Sequence, residues 1–396
     1  MSTIVPSLPT CDAHPEDDPF TPGTAATSAA HTGGSGLRLA NIGPLRAESG
    51  QVLPAAQLAY ETWGRLNAQR TNAVLILHAL TGDSHVIGEA DGDHVTPGWW
   101  DGMVGPGAPI DTTRYFVVAA NVLGGCQGST GPASPAPDGR PWGSRFPQLS
   151  VRDMVIAEAR LADYLGIGRF SMVVGPSAGG HRALEWACMY PERVGRLIVI
   201  ATSAETTADQ AAWASMQLRA LELDPAFRDG DYYGEDAQPT GGLALARQIA
   251  HATYRSAGEL NARFGRVAQG DEDPMTGGRL AVQSYLDYHG DKLTRRFDAG
   301  SYRVLTRAML THDVGRERGG VARALSLIEA PTLVVSVDTD RLFLPEACRQ
   351  LAAKIPQARY AEITSPAGHD GFLIERDQVA QLVQAFDADT AYAAGF

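Results

Sequence analysis

Short apolar runs separated by longer amphipathic stretches set the rhythm of this chain. Runs of strand length fall at Ala56–Glu61, Ala73–His78, Tyr115–Asn121, Phe170–Val174, Leu197–Ala201, Thr332–Val337 and Tyr360–Thr364. Several are nearly continuous in apolar residues, as expected of parallel strands covered on both faces. Helical periodicity occupies Val151–Leu165, Ala178–Tyr190, Pro345–Lys354 and Gln378–Phe386. Strand alternating with helix predicts an α/β fold with a mostly parallel central sheet and helices on both faces. The alternation breaks between residues 205 and 325, where helix-forming, polar sequence without a convincing strand separates two core strands. A long insertion at the carboxyl edge of such a sheet is placed to cover a site. The expected organisation is therefore a core of residues 37–204 and 326–396, interrupted by a helical lid at 205–325. Residues 1–36, rich in Pro, Thr, Ser, Ala and Gly, read as a disordered tail.

Composition narrows the function. With 396 residues, 44% hydrophobic and 20% charged, the chain suits a soluble globular protein with a large core. A net charge of −12 argues against nonspecific binding to nucleic acid or anionic membrane, both of which need a basic face. No run reaches transmembrane length, and the N-terminus lacks the basic and apolar regions of a signal peptide, so a cytoplasmic protein is expected. Cys11, Cys126, Cys188 and Cys348 are scattered without C-x-x-C spacing, which points to neither a zinc site nor a disulfide framework. Cys126 in Gly124-Gly125-Cys126-Gln127-Gly128 reads as a small packing residue rather than a reactive thiol. His78, His85, His94, His251, His289 and His312 lack ligand spacing, and solvated or capping roles are expected for them.

The candidate chemistry starts at Gly175-Pro176-Ser177-Ala178-Gly179, of the form G-x-S-x-G. The motif follows a strand-like run and opens a helix-like segment, the context in which it forms a sharp turn that exposes the serine Oγ. The helix start then offers unpaired N–H groups and a positive dipole end to a developing oxyanion. A serine nucleophile needs a base and an orienting acid, which on this kind of scaffold follow in the order Asp or Glu, then His. Asp338 and Asp340 compete for the acid at the end of the run Thr332–Val337, and His369 follows the run Tyr360–Thr364. Strand ends are where sites are built in open α/β sheets.

Further motifs surround these residues. They are His78-Ala79-Leu80-Thr81-Gly82-Asp83-Ser84-His85, the segment Asn121 to Pro132, and Ala183-Leu184-Glu185-Trp186. Gln283-Ser284-Tyr285-Leu286, Arg296-Phe297-Asp298-Ala299-Gly300-Ser301-Tyr302, Asp340-Arg341-Leu342-Phe343-Leu344-Pro345 and Gly368-His369-Asp370-Gly371-Phe372-Leu373 complete the series. In this order the set resembles the homoserine O-acetyltransferases of the α/β-hydrolase superfamily, actinobacterial type, from about Leu37 to Phe386. The resemblance implies acetyl transfer from acetyl-CoA to homoserine in methionine biosynthesis. It assigns Ser177 as nucleophile, His369 as base and Asp340 as its orienting acid, with backbone N–H groups of Leu80 and Ala178 forming the oxyanion hole. It also places Arg247 at the acceptor carboxylate, Tyr254 at a further substrate contact and Asp370 at the amino group. Acetyl-CoA is then a co-substrate, with no permanently bound cofactor and no metal. The expected partners are acetyl-CoA and a small amino-acid alcohol, with a homodimer formed through the lid. Arg255 and Arg263 are candidates for guiding CoA.

Some residues depart from the family pattern. The family elbow usually reads Gly-Gly-Ser-Met-Gly-Gly, whereas Pro176 and Ala178 stand here, and Ser203-Ala204-Glu205-Thr206 replaces a stretch that commonly carries arginine. Ala211–Ala214 differs as well. These changes leave open another acceptor such as serine or a natural-product alcohol, a succinyl donor, or hydrolysis of small esters, with Pro176, Ala178 and Glu205 as candidate determinants.

Overall fold

A computed structural model of the chain describes residues 36–393, so the expected disordered tail lies, but for its last residue, outside the described residues. Eight strands form one sheet: β1 (Arg38–Arg46), β2 (Val52–Trp63), β3 (Ala73–Ile76), β4 (Phe116–Ala120), β5 (Met172–Pro176), β6 (Leu197–Ile200), β7 (Thr332–Val337) and β8 (Ala358–Ile363). Their spatial order is β1-β2-β4-β3-β5-β6-β7-β8. The pairings β1–β2 and β2–β4 are antiparallel, and all the others are parallel. β3, β6 and β7 are buried along their whole length, which is why they read as unbroken apolar runs.

The first hairpin was not legible as such. β1 carries Gly43 and Pro44, which disguise it, and the edge of a sheet is where proline is tolerated. Its pairing with β2 shifts register around Gly43, as at a bulge.

Helices α1 (Val151–Tyr164), α2 (Ala178–Met189) and α9 (Pro345–Lys354) supply Met154, Val155, Leu184, Trp186 and Leu351 to one core cluster. Phe372, Val379, Val383 and Phe386, from α10 (Gly371–Ile374) and α11 (Arg376–Ala393), belong to a second cluster with Val74, Ile76 and Val335. Between β6 and β7 the chain runs through α3 (Ala208–Glu222), α4 (Thr240–Tyr254), α5 (Ala257–Phe264), α6 (Ala281–Thr294), α7 (Ala299–Leu310) and α8 (Val321–Ser326). Among the described residues no helix is long and apolar enough to cross a membrane.

Candidate active site

The parallel register of β3, β5, β6, β7 and β8 brings their carboxyl ends to one edge, and three loops from that edge meet. Ser177 sits between β5 and α2 with φ 54° and ψ −124°, a backbone state that costs a non-glycine residue roughly 1–3 kcal/mol. Surrounding bonds hold it there. Ser177 donates its N–H to the Ile200 carbonyl at 2.8 Å, while its own carbonyl accepts from Gly180 N–H and from Thr202 Oγ1. Two glycines are required by close approach rather than by φ. A Cβ on Gly179 would stand 1.9 Å from the Leu77 carbonyl oxygen, and one on Gly175 would stand 2.2 Å from that of Gly179. Pro176 is accommodated because the pairing with β3 ends at Val174, so no ladder bond on that side needs its N–H.

His369 joins the three loops. Its Nε2 lies 2.9 Å from Ser177 Oγ and its Nδ1 lies 2.6 Å from Asp340 Oδ2. Asp340 Oδ1 accepts the backbone N–H groups of Leu342 and Phe343, which lock the carboxylate in place. Burial works against the charged imidazolium, but the Asp340 carboxylate, its hydrogen bond and the Asp370 charge outweigh it and raise the His369 pKa above its ordinary value. The geometry also separates the two competing aspartates. Asp338 is exposed and accepts the Ser365 N–H, whereas Asp340 is buried against His369. Between them, Thr339 donates to the Ser365 carbonyl and accepts from Gly368 N–H, tying the two loops together. Sequence reasoning did not single out Thr339, whose only signal was its place between the aspartates.

The backbone N–H groups of Leu80 and Ala178 meet no acceptor among the described residues. Both residues line a small apolar cavity that also touches Val122, Met154, Leu305 and Met309. The loop carrying Leu80 is held by His78, whose Nδ1 lies 2.7 Å from the Ala79 carbonyl and whose Nε2 accepts the Val122 N–H. Burial, then the nearby Arg182 charge, pushes the His78 pKa well down, which keeps this bridge neutral. Arg182 donates to the His78 carbonyl and pairs with buried Glu158, which also accepts from Trp186 Nε1.

A second cavity opens between Leu80, Tyr254 and Phe343 and helices α3 and α7. Trp213, Gln217 and Thr306 line it, and among the described residues no Asp, Glu, Lys or Arg does. Thr206 is on its wall, whereas Glu205, a candidate determinant, is exposed and not among the residues that line it. Ala178 and Trp213, by contrast, do line cavities beside the elbow.

Arg247 and Tyr254, both on α4, form a stack: the Arg247 guanidinium lies 5.2 Å from the centre of the Tyr254 ring, and that ring lies 5.7 Å from the ring of His369. Arg247 is buried, not part of a solvated helix face. Asp370 occupies the N-cap position of α10 but makes no capping bond, and its Oδ2 accepts from Arg255 Nη1 at 3.3 Å. Arg255, a candidate for guiding CoA, is buried and held by Glu259 and Asp370. Arg263 packs over the Phe264 and Tyr285 rings.

The six histidines expected to be solvated or capping are all buried. They are consumed by packing and internal bonds: His251 and His289 stack at 3.9 Å, and His251 Nε2 meets Tyr285 Oη at 2.7 Å. His85 and His94 converge on Glu61 with N···O distances of 3.1 and 3.4 Å, a grouping that linear spacing concealed. Their rings stack at 3.7 Å with planes 12° apart. An imidazole lone pair lies in the ring plane, so two nearly parallel rings do not aim at one ion. Proton sharing fits better. His85 faces a carboxylate at Nδ1 and the Glu89 carbonyl at Nε2, which requires a proton on both nitrogens. Burial opposes that charge, but Glu61 prevails and raises the His85 pKa. Cys126 is half-buried, and burial pushes its thiol up to about 12, in keeping with a packing role.

Residues 72–375 match the family model of the alpha/beta hydrolase fold. The homoserine O-acetyltransferase of Thermobifida fusca is 57% identical over 343 residues, covering 86% of this chain and 90% of that protein. Among solved structures, homoserine O-acetyltransferase from Bacillus anthracis superposes with a TM-score of 0.82 at 27% identity, over 88% of this chain and 96% of that one. Esterase E22 superposes with a TM-score of 0.81 at 26% identity, over 88% and 99%.

Proposed function

The chain belongs to the homoserine O-acetyltransferase family, an acyltransferase family on the α/β-hydrolase fold, and we propose that it moves an acetyl group from acetyl-CoA to the hydroxyl of homoserine through an acyl-serine. The observation that carries this reading is the bonded relay from Ser177 through His369 to Asp340, beside two backbone donors without acceptors. Ser177 Oγ attacks the thioester carbonyl as His369 Nε2 takes its proton. The N–H groups of Leu80 and Ala178 hold the oxyanion. Collapse breaks the C–S bond, and the departing thiolate takes the proton from His369. The homoserine hydroxyl then attacks the acyl-serine, giving its proton to His369, and Ser177 recovers a proton as the ester leaves.

Arg247 serves the acceptor carboxylate, Tyr254 packs between it and the base, and Asp370 serves the ammonium. The reading places the enzyme in methionine biosynthesis in the cytoplasm, with helices α3 to α8 as a lid over the site and as the contact of a homodimer.

A second reading, hydrolysis of small esters, is favoured by the likeness to esterase E22. The same relay serves both reactions, which differ in whether water or the acceptor alcohol reaches the acyl-serine first. Thiol release from acetyl-CoA and succinyl-CoA, with homoserine, serine or water as acceptor and product masses determined, separates them. Release that depends on homoserine and acetyl-CoA together supports transfer; equal release in water alone overturns it.

A further inference from the structure

Arg255 and Glu259 form a charged pair behind Asp370 to which the proposed reaction gives no role. Arg255 caps the C-terminal end of α4 and is 3% exposed. Its Nε and Nη2 grip both oxygens of Glu259, and Nη1 reaches Asp370 Oδ2 at 3.3 Å. Glu259 is itself anchored in the first turn of α5, where its backbone N–H donates to Ser256 Oγ. A carboxylate at that point is favoured by the helix dipole. The same segment grips the histidine loop. Ser256 donates to the Pro366 carbonyl at 2.5 Å, and a Cβ on Gly368 would come within 2.6 Å of the Tyr254 carbonyl oxygen and 2.7 Å of the Ser256 nitrogen.

Arg255 is shared between two carboxylates: Glu259 fixes one edge of the guanidinium, and Nη1 on the other edge holds Asp370 Oδ2 next to His369.

We infer that Arg255 and Glu259 are positioning residues that orient Asp370 toward the acceptor's ammonium, so that selection of an amino-acid alcohol depends on a glutamate that never touches it. This rests on the reading of Asp370 as the ammonium's partner. The pair should then act on acceptors that carry an ammonium and on no others.

The test compares homoserine with 4-hydroxybutyrate, the same acceptor without its ammonium, in Glu259→Gln, Glu259→Asp and Asp370→Asn. Acylation of Ser177 is followed separately with p-nitrophenyl acetate. Loss of a charge-assisted contact corresponds to about a tenfold to hundredfold fall in kcat/KM. Glu259→Gln should show that fall for homoserine, mostly in KM, with 4-hydroxybutyrate and acylation unchanged. Glu259→Asp, which keeps the charge, should recover part of it and serves if the glutamine variant fails to fold. Equal falls for both acceptors in either Glu259 variant would make the pair merely structural and overturn the inference. If Asp370→Asn discriminates between the acceptors and the Glu259 variants do not, the inference alone is wrong. If Asp370→Asn does not discriminate either, the reading of Asp370 fails and the inference with it.

Discussion

Asp340→Asn tests the relay with almost no change of shape. Oδ1 of Asp340 accepts two backbone N–H groups, from Leu342 at 2.8 Å and Phe343 at 2.9 Å. An asparagine must place its carbonyl oxygen there, because turning the amide would leave two buried donors facing a third at about 1–3 kcal/mol each. Its NH2 then faces His369 Nδ1 across the 2.6 Å contact. The imidazole can only accept there, so its single proton moves to Nε2, which faces Ser177 Oγ at 2.9 Å. The base is thus held in the tautomer that cannot take the serine proton. The corresponding substitution in a serine protease triad lowers kcat by about 10⁴-fold, or about 5.5 kcal/mol in the barrier. The assay is the stopped-flow burst of p-nitrophenol from p-nitrophenyl acetate, run alongside thiol release from acetyl-CoA. The circular dichroism spectrum should be unchanged, since the side chain keeps its volume and its two backbone bonds. A burst within about thirtyfold of the parent enzyme would refute the tautomer argument.

Other expectations follow from the same geometry. Because the His369 pKa is raised, the neutral base is lost as pH falls through a midpoint above the ordinary 6.5. The acid limb of kcat/KM should therefore centre above 6.5, and a midpoint below 6 would contradict the charge balance. Ser177→Gly should be more stable than Ser177→Ala by about 1 kcal/mol in urea denaturation, because both lose the hydroxyl and only alanine keeps a Cβ at φ 54°. The reverse order would mean the elbow is not strained. Glu158→Gln leaves the buried Arg182 guanidinium without its charge partner and should cost about 3–5 kcal/mol. A loss under about 1 kcal/mol would show that Arg182 finds other compensation.

Local chemistry explains what could be read in advance. The runs named every parallel strand to within two or three residues; β3, β5, β6 and β7, buried along their whole length, have no freedom to be polar, whereas β8 is largely half-exposed and carries Arg359 and Glu362. The elbow was legible because glycines tolerate the close approach found at Gly175 and Gly179, and its partners because they sit directly after strands. The edge strand β1, with its glycine and proline, carried no such signature.

Contacts between distant segments were a different matter. Asp338 and Asp340 are two residues apart and chemically identical, and only the loop's path turned one to His369 and the other to Ser365. Arg255 was a candidate for guiding CoA, and only the fold placed Asp370 beside it, 115 residues away. Glu61 and His85 lie 24 residues apart in sequence and 3.1 Å apart in space. The sequence by itself determined the periodicities, the turn chemistry and the order of the candidate catalytic groups, all of which depend on near neighbours along the chain. The tertiary structure alone decided burial, charge pairing and hydrogen-bond partners, because these depend on which segments the sheet register brings together.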